Sequence, residues 1–180
     1  MAGEKFTDDL RRTAVTWWIF APEAFADPQN PTLAEWNSTN ERLALNITCA
    51  VDEESTTYTI GSSDLDERYS FCDGAGKSRP KKVNPEAVLG TYYDEDRNAT
   101  GIFNKTAAWL RFADVPFYLG QRVGDQDATP ETLARLTDDL RLMSVRTDEA
   151  ANTTAQDDPV LRVQNLLQAG FVNWNFKPTA

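Results

Sequence analysis

Acidic side chains dominate the groups in this sequence that could do chemistry. The stretch Asp94-Glu95-Asp96-Arg97-Asn98-Ala99-Thr100-Gly101 has the composition of a calcium loop. Such loops put a sharp-turn glycine at the sixth position and a bidentate acid at the twelfth. Those positions hold Ala99 and Lys105. The stretch therefore reads as an acidic turn that complements the positive end of a following helix dipole. Asp138 and Asp139 are adjacent acids of the type glycosidases use, and equally of the type found on a solvated face. Gly76-Lys77-Ser78 ends like a phosphate-binding loop, but that loop needs a glycine five positions before Gly76. Phe71 stands there. Lys77, Arg79, Lys81 and Lys82 form the one concentrated basic patch. They lack the interleaved aromatics of a single-strand nucleic-acid groove. A solvated loop, or an electrostatic contact with an acidic neighbouring subunit, fits them better.

The composition narrows the field further. There is no histidine, which removes the commonest general base and metal ligand and every Ser-His or Cys-His mechanism. Two cysteines, Cys49 and Cys72, are too few for a disulfide scaffold or for a zinc site without histidines. They read as buried reduced thiols on strands, with a bridge between them left open. The net charge of −10 repels nucleic acid and keeps a subunit soluble before it meets a partner. No catalytic residue, metal ligand or cofactor site is expected, and the protein reads as a non-enzyme. The first ten residues lack the apolar core of a signal peptide, so synthesis in a cytoplasm is expected. Without such a signal, the five Asn-x-Ser/Thr sequences at Asn37, Asn46, Asn98, Asn104 and Asn152 read as chance matches. No apolar run is long enough to span a membrane as a helix.

The elements that would position these groups are mostly short strands. At 180 residues the chain suits one domain, 1–180, with an N-terminal arm 1–12. Thr13–Phe20 is β-branched and aromatic, which predicts a strand. Residues 22–42 form an extended loop punctuated by prolines, with one helical turn within Pro31–Asn37. Leu43–Val51 alternates strictly and predicts a strand with Cys49 on its apolar face. Ser55–Ile60 predicts another, joined to it by a hairpin or bulge. Gly61–Glu67 reads as a polar turn and 73–82 as a loop. Glu86–Tyr93, Pro116–Val123 and Leu140–Arg146 predict strands. A helix is expected at about 99–112, capped by Asn98 or Thr100, with Ile102, Phe103, Ala107, Leu110 and Phe112 on its apolar face. Thr129 and Pro130 look like a helix start. Residues 148–158 read as an acidic loop, and 160–176 as a hairpin turning at Ala169-Gly170. The sum is a mostly-β sandwich or barrel with one packed helix. Trp17, Trp18, Trp36, Trp109 and Trp174 are most simply core or interface residues.

In this order the features resemble the major tail proteins, or tail tube proteins, of long-tailed non-contractile bacteriophages, especially those of actinobacteria. Asp27-Pro28…Pro31-Thr32-Leu33-Ala34-Glu35-Trp36-Asn37 is similar to the family's NPxxPTxAEL loop. Leu45–Ala50 with Tyr58-Thr59-Ile60 resembles its DLSCA…YTL hairpin, and Arg68–Asp73 its xRTLCD segment. Asn84–Ala87, Phe103–Trp109 and Tyr118–Gly124 resemble NYEA, the YNKAW helix and GYLxxRVG, and Pro159–Asn173 the final hairpin. Ala128–Leu136 departs from the pattern by looking more helical, where the family has a Gly-Asp turn into a strand. The resemblance implies a virion protein, made and assembled in the host cytoplasm. Its subunits would join sheets into hexameric rings that stack into a tube. Partners would be copies of itself and the tape measure, tail terminator and distal tail proteins. DNA would meet it only in transit through an acidic lumen. Loops 22–42, 73–82 and 148–158 and the arm 1–12 would bridge rings. The competing reading is a carbohydrate- or surface-binding β-sandwich module.

Overall fold

The computed structural model describes residues 15–67, 78–94, 96, 98–124, 133–149, 151–153 and 161–180. Eight antiparallel strands form one sheet: β1 (Val15–Phe20), β2 (Ala44–Asn46), β3 (Thr57–Glu67), β4 (Ser78–Tyr92), β5 (Pro116–Val123), β6 (Asp139–Thr147), β7 (Ala151–Thr153) and β8 (Leu161–Phe176). The strand order is β2-β1-β5-β6-β8-β4-β3, and β7 pairs with β8 off this path. Among the described residues two short helices, α1 (Leu33–Trp36) and α2 (Ile102–Trp109), accompany the sheet.

Alternation along the central strands fills two cores. Ile19, Phe117, Leu119, Met143 and Val145 point to one face and meet Leu45, Ile47, Tyr58, Leu89, Leu110 and Leu166. Strands from both halves of the sheet share this core, so the sheet curls over it. The Tyr58 hydroxyl donates to the Leu119 carbonyl at 3.3 Å, and burial pushes the phenol's pKa up. Trp17 meets Tyr58 edge-on at 5.4 Å. On the opposite face Trp18, Phe20, Leu140 and Leu142 pack with Ala24, Phe25, Trp36 and Ala44 from the 21–44 segment. Strands apolar on both faces lie between two layers.

β1, β5, β6 and α1 match the expected segments, and mostly-β architecture with a packed helix is what the chain adopts. Other expectations are corrected. Residues 160–176 do not form a hairpin: β8 is one strand that pairs β4 through Leu161–Leu166 and β6 through Leu166–Phe176. Between Val145↔Gln168 and Met143↔Val172 the β8 side has two extra residues, so Gly170 marks a bulge rather than a turn. Gly61–Glu67 is not a turn, and 78–82 is not loop, because both belong to the β3–β4 ladder. Pro80 and Pro85 sit where β4 has β3 as its one described partner, the place where a missing N–H costs least. Residues 73–77 lie outside the described residues.

The Leu43–Val51 alternation yields only the three-residue β2, then a 3-10 turn at Thr48–Ala50. The Asn46 carboxamide oxygen accepts from the Thr48 N–H at 3.1 Å and its hydroxyl at 2.7 Å, a side-chain turn that competes with the ladder. Cys49 is exposed on that turn, neither buried nor on a strand, and Cys72 lies outside the described residues. β2 pairs with β1, not β3. Helix α2 is shorter than 99–112, and Gly101 is its N-cap, with no side-chain cap from Asn98 or Thr100. Leu110 is buried, but Phe112 is 64% exposed. The 148–158 segment contains β7. Thr129 and Pro130 lie outside the described residues, and 133–138 is turn, not helix.

Candidate assembly surfaces

The segment that covers the second core is built around Trp36. Thr32 caps α1 in a reciprocal box: the Glu35 N–H donates to the Thr32 hydroxyl at 3.2 Å, and the Thr32 N–H donates to the Glu35 carboxylate at 2.9 Å. The other Glu35 oxygen accepts from the Ala26 N–H at 2.8 Å. Burial raises the Glu35 pKa, but the N–H groups of Ala26 and Thr32 and the Thr32 hydroxyl outweigh it and leave the pKa lowered. The box turns Trp36 inward, fully buried between Phe20 at 4.9 Å and Phe176 at 6.2 Å. Gly120 on β5 makes the space. A Cβ there would lie 2.6 Å from the Phe20 ring and 2.9 Å from the Trp36 ring. The C-terminus closes the segment, with the Leu33 N–H donating to the Thr179 carbonyl at 2.8 Å. Thr32→Ala is expected to cost about 1 kcal/mol, a fall in Tm of about 2–4 °C for a chain of this size, measured by thermal unfolding.

A second anchor joins β5 to the turn before β6. Arg122 Nε donates to Asp138 Oδ2 at 2.7 Å, with both side chains almost fully buried. The same oxygen accepts from the Arg135 N–H at 2.8 Å. Asn37 clasps the turn from the other side: its side chain donates to the Ala134 carbonyl at 3.0 Å and accepts from the Ala134 N–H at 2.8 Å. Asp138 and Asp139 are thus separated in role. Asp139 faces solvent and pairs with Lys177 at 2.9 Å.

A third anchor ties the 51–56 connection to β4. The Asp52 carboxylate accepts from the Ser55 hydroxyl and N–H and, at 2.7 Å, from the Tyr92 hydroxyl. The Ser55 hydroxyl, then that of Tyr92, holds its pKa below the ordinary 3.8. Gly90 is needed here, since a Cβ would fall 1.8 Å from Ser55 Oγ. A lowered folded-state pKa contributes stability that is present above the unfolded value and lost as pH falls through the folded value. Asp52→Asn should therefore destabilise the protein at pH 7. The gap from wild type in urea unfolding should narrow below about pH 4.

The remaining candidates from the sequence fall as follows. Asp94 and Asp96 each accept from the backbone N–H two residues on, and Asn104 donates to the Asp96 and Ala99 carbonyls. That makes the acidic stretch a chain of side-chain turns before α2. In the ladder, Arg79 stands opposite Asp66 and Lys82 opposite Asp64, so the basic cluster is registered against acids of its own chain; Lys77 lies outside the described residues. Trp18 and Trp36 are core, and Trp17 and Trp109 pack half-buried on the first core. The side chain of Trp174 lies outside the described residues.

Sequence reasoning missed the length of the β3–β4 ladder. Residues 61–67 and 78–84 pair with each other and with no third described strand. β3 ends the sheet with β4 as its one described partner. Unpaired strand edges are templates for another chain. A curled sheet whose β3 edge has no second partner among the described residues, with anchored turns and buried aromatics, is a mostly-β fold suited to assembly through its edge. The family model of phage tail tube proteins matches residues 6–175. The chain belongs to that family and is a structural protein of a phage tail that assembles with its own copies into a tube. A search of curated proteins found no significant match.

Proposed function

We propose that the protein is the major tube subunit of a long, non-contractile tail, with six copies per ring and rings stacked around a channel for DNA. The observation that carries this reading is the β3 edge, eleven residues long, which has β4 as its one partner among the described residues. Joining that edge to a neighbour's sheet and closing the ring leaves no edge exposed. Stacking uses a head-to-tail contact, which extends without limit. The β3–β4 ladder beyond the rest of the sheet, the arm 1–12 and the 22–42 segment supply the contacts between rings. The net charge of −10 favours passage of DNA without retention, because phosphate binding needs Lys and Arg. Tape measure, terminator and distal tail proteins would meet the tube at its lumen and ends, after synthesis of all components in the host cytoplasm.

The described aromatics support assembly over glycan binding. Phe20, Phe25, Trp36, Tyr118 and Phe176 meet one another in tilted and edge-on contacts around the second core, rather than forming an exposed platform. Cryo-electron microscopy of assembled tubes tests the reading. Six-fold rings with a lumen poor in Lys and Arg are expected. Rings of another order would overturn the hexamer, and a lumen lined by Lys and Arg would overturn the charge argument.

A further inference from the structure

The large apolar side chains left exposed among the described residues are Val15, Phe112, Leu133 and Leu136. They fall at opposite ends of the β5–β6 pair. Phe112 lies at the Pro116/Arg146 end, where its carbonyl accepts from the Thr147 hydroxyl at 2.6 Å. Leu133 and Leu136 precede Asp139, which pairs with Val123 at the other end, and Val15 pairs with the same Val123. Eight strand residues separate the ends by roughly 26 Å.

Both ends are anchored through their described residues. At the first, Asp114 takes a left-handed φ of 61°, its carboxylate accepts from Arg146 at 2.8 Å, and its N–H donates to the Thr147 carbonyl at 2.8 Å. The Arg111 guanidinium lies 5.3 Å from the Phe112 ring centre. At the second, Asn37, Arg122 and Asp138 fix the turn, as described above. The choice of what points inward is inverted for a monomer. Ala134 and Asp138 are buried while Leu133 and Leu136, at 56% and 49%, face out. Burying a leucine rather than an alanine would stabilise a lone subunit more.

We infer that Phe112 of one copy docks on the end of the next copy along the tube that carries the exposed Val15, Leu133 and Leu136. A second copy is the occupant because an unlimited head-to-tail assembly needs two different patches on opposite ends of each subunit, and these ends supply them. Four such side chains amount to roughly a few hundred Å2, well short of the roughly 800 Å2 per partner that a stable complex buries. The contact is therefore weak alone. It adds to sheet-edge pairing and lets the free subunit stay soluble.

This inference rests on the tube reading, and charge swaps separate the two. Phe112→Glu alone, and Leu133→Lys with Leu136→Lys alone, should each raise the concentration needed for tube formation about tenfold or more. Thermal unfolding should show both variants folded. The combination of all three should restore tubes. In a Cys49→Ser, Cys72→Ser background, Phe112→Cys with Leu133→Cys should give an intermolecular disulfide linking position 112 to position 133. Wild-type tubes together with variants that assemble at the wild-type concentration, or a swap that fails to rescue with no 112–133 link, would overturn the docking. Absence of tubes from the wild type under every condition would instead remove the tube reading itself, and this contact with it.

Discussion

Replacing Arg122 by alanine is expected to lower stability by about 3–5 kcal/mol, because it leaves the Asp138 carboxylate buried without its cation. For a chain of this size that is a fall in Tm of about 6–20 °C. Arg122 is fully buried and Asp138 is 3% exposed, so water cannot replace the lost partner. Asp138→Ala should cost a similar amount, since it also strands the Arg135 N–H that donates to the carboxylate. A double-mutant cycle distinguishes a coupled pair from two independent losses. With both charges gone there is no orphan ion, and Arg122→Met with Asp138→Ala should lose less than the sum of the separate changes. The turn carrying Leu133 and Leu136 would still be held by Asn37, so this experiment reads folding rather than assembly. Strict additivity would sink the account of this anchor.

Trp36→Ala should cost about 3–5 kcal/mol, from the transfer and cavity terms of a large core residue. Urea unfolding is the appropriate measurement, since m reports whether the denatured state has changed as well. Trp36→Phe should retain most of the stability: the Trp36 indole N–H has no hydrogen-bond partner among the described residues, so no polar contact is lost. Gly120→Ala should cost about 1–3 kcal/mol by overpacking, because its Cβ would press on Phe20 and Trp36. The two sites touch the same space. Gly120→Ala should therefore be markedly less harmful in the Trp36→Ala background than in the wild type. An equal cost in both backgrounds would show that Gly120 is required by something other than the tryptophan.

The central strands were legible because each carries its signal locally. Val15–Phe20 is β-branched and aromatic, Pro116–Val123 is largely apolar and Asp139–Leu142 alternates polar with apolar, and most residues of the three strands are buried or half-buried. The Thr32–Glu35 capping box was visible only as part of a resemblance to tail tube proteins. Trp36, which the box turns inward, meets Gly120 across a wide gap in the sequence, and no local rule joins them. Gly170 misled because a glycine between two alternating runs signals a turn and a bulge alike; the choice is made by β4 and β6, which lie on successive stretches of β8. Pro80 and the basic residues Arg79, Lys81 and Lys82 made the β4 start look like loop, when the ladder with β3 tolerates them on a side that has no other partner among the described residues. Asn46 ended the β2 alternation by bonding to Thr48, and this moved Cys49 from an expected core position to the surface. Arg122 and Asp138 drew no particular attention as a pair, since sixteen residues separate them and both types are usually exposed.

Electron microscopy of the purified protein over a range of concentrations, alone and with the other tail components, tests the central claim most directly. Uniform rings and tubes are the predicted result, with this chain as their repeating subunit. A protein that stays monomeric at every concentration, even with those components present, would contradict it.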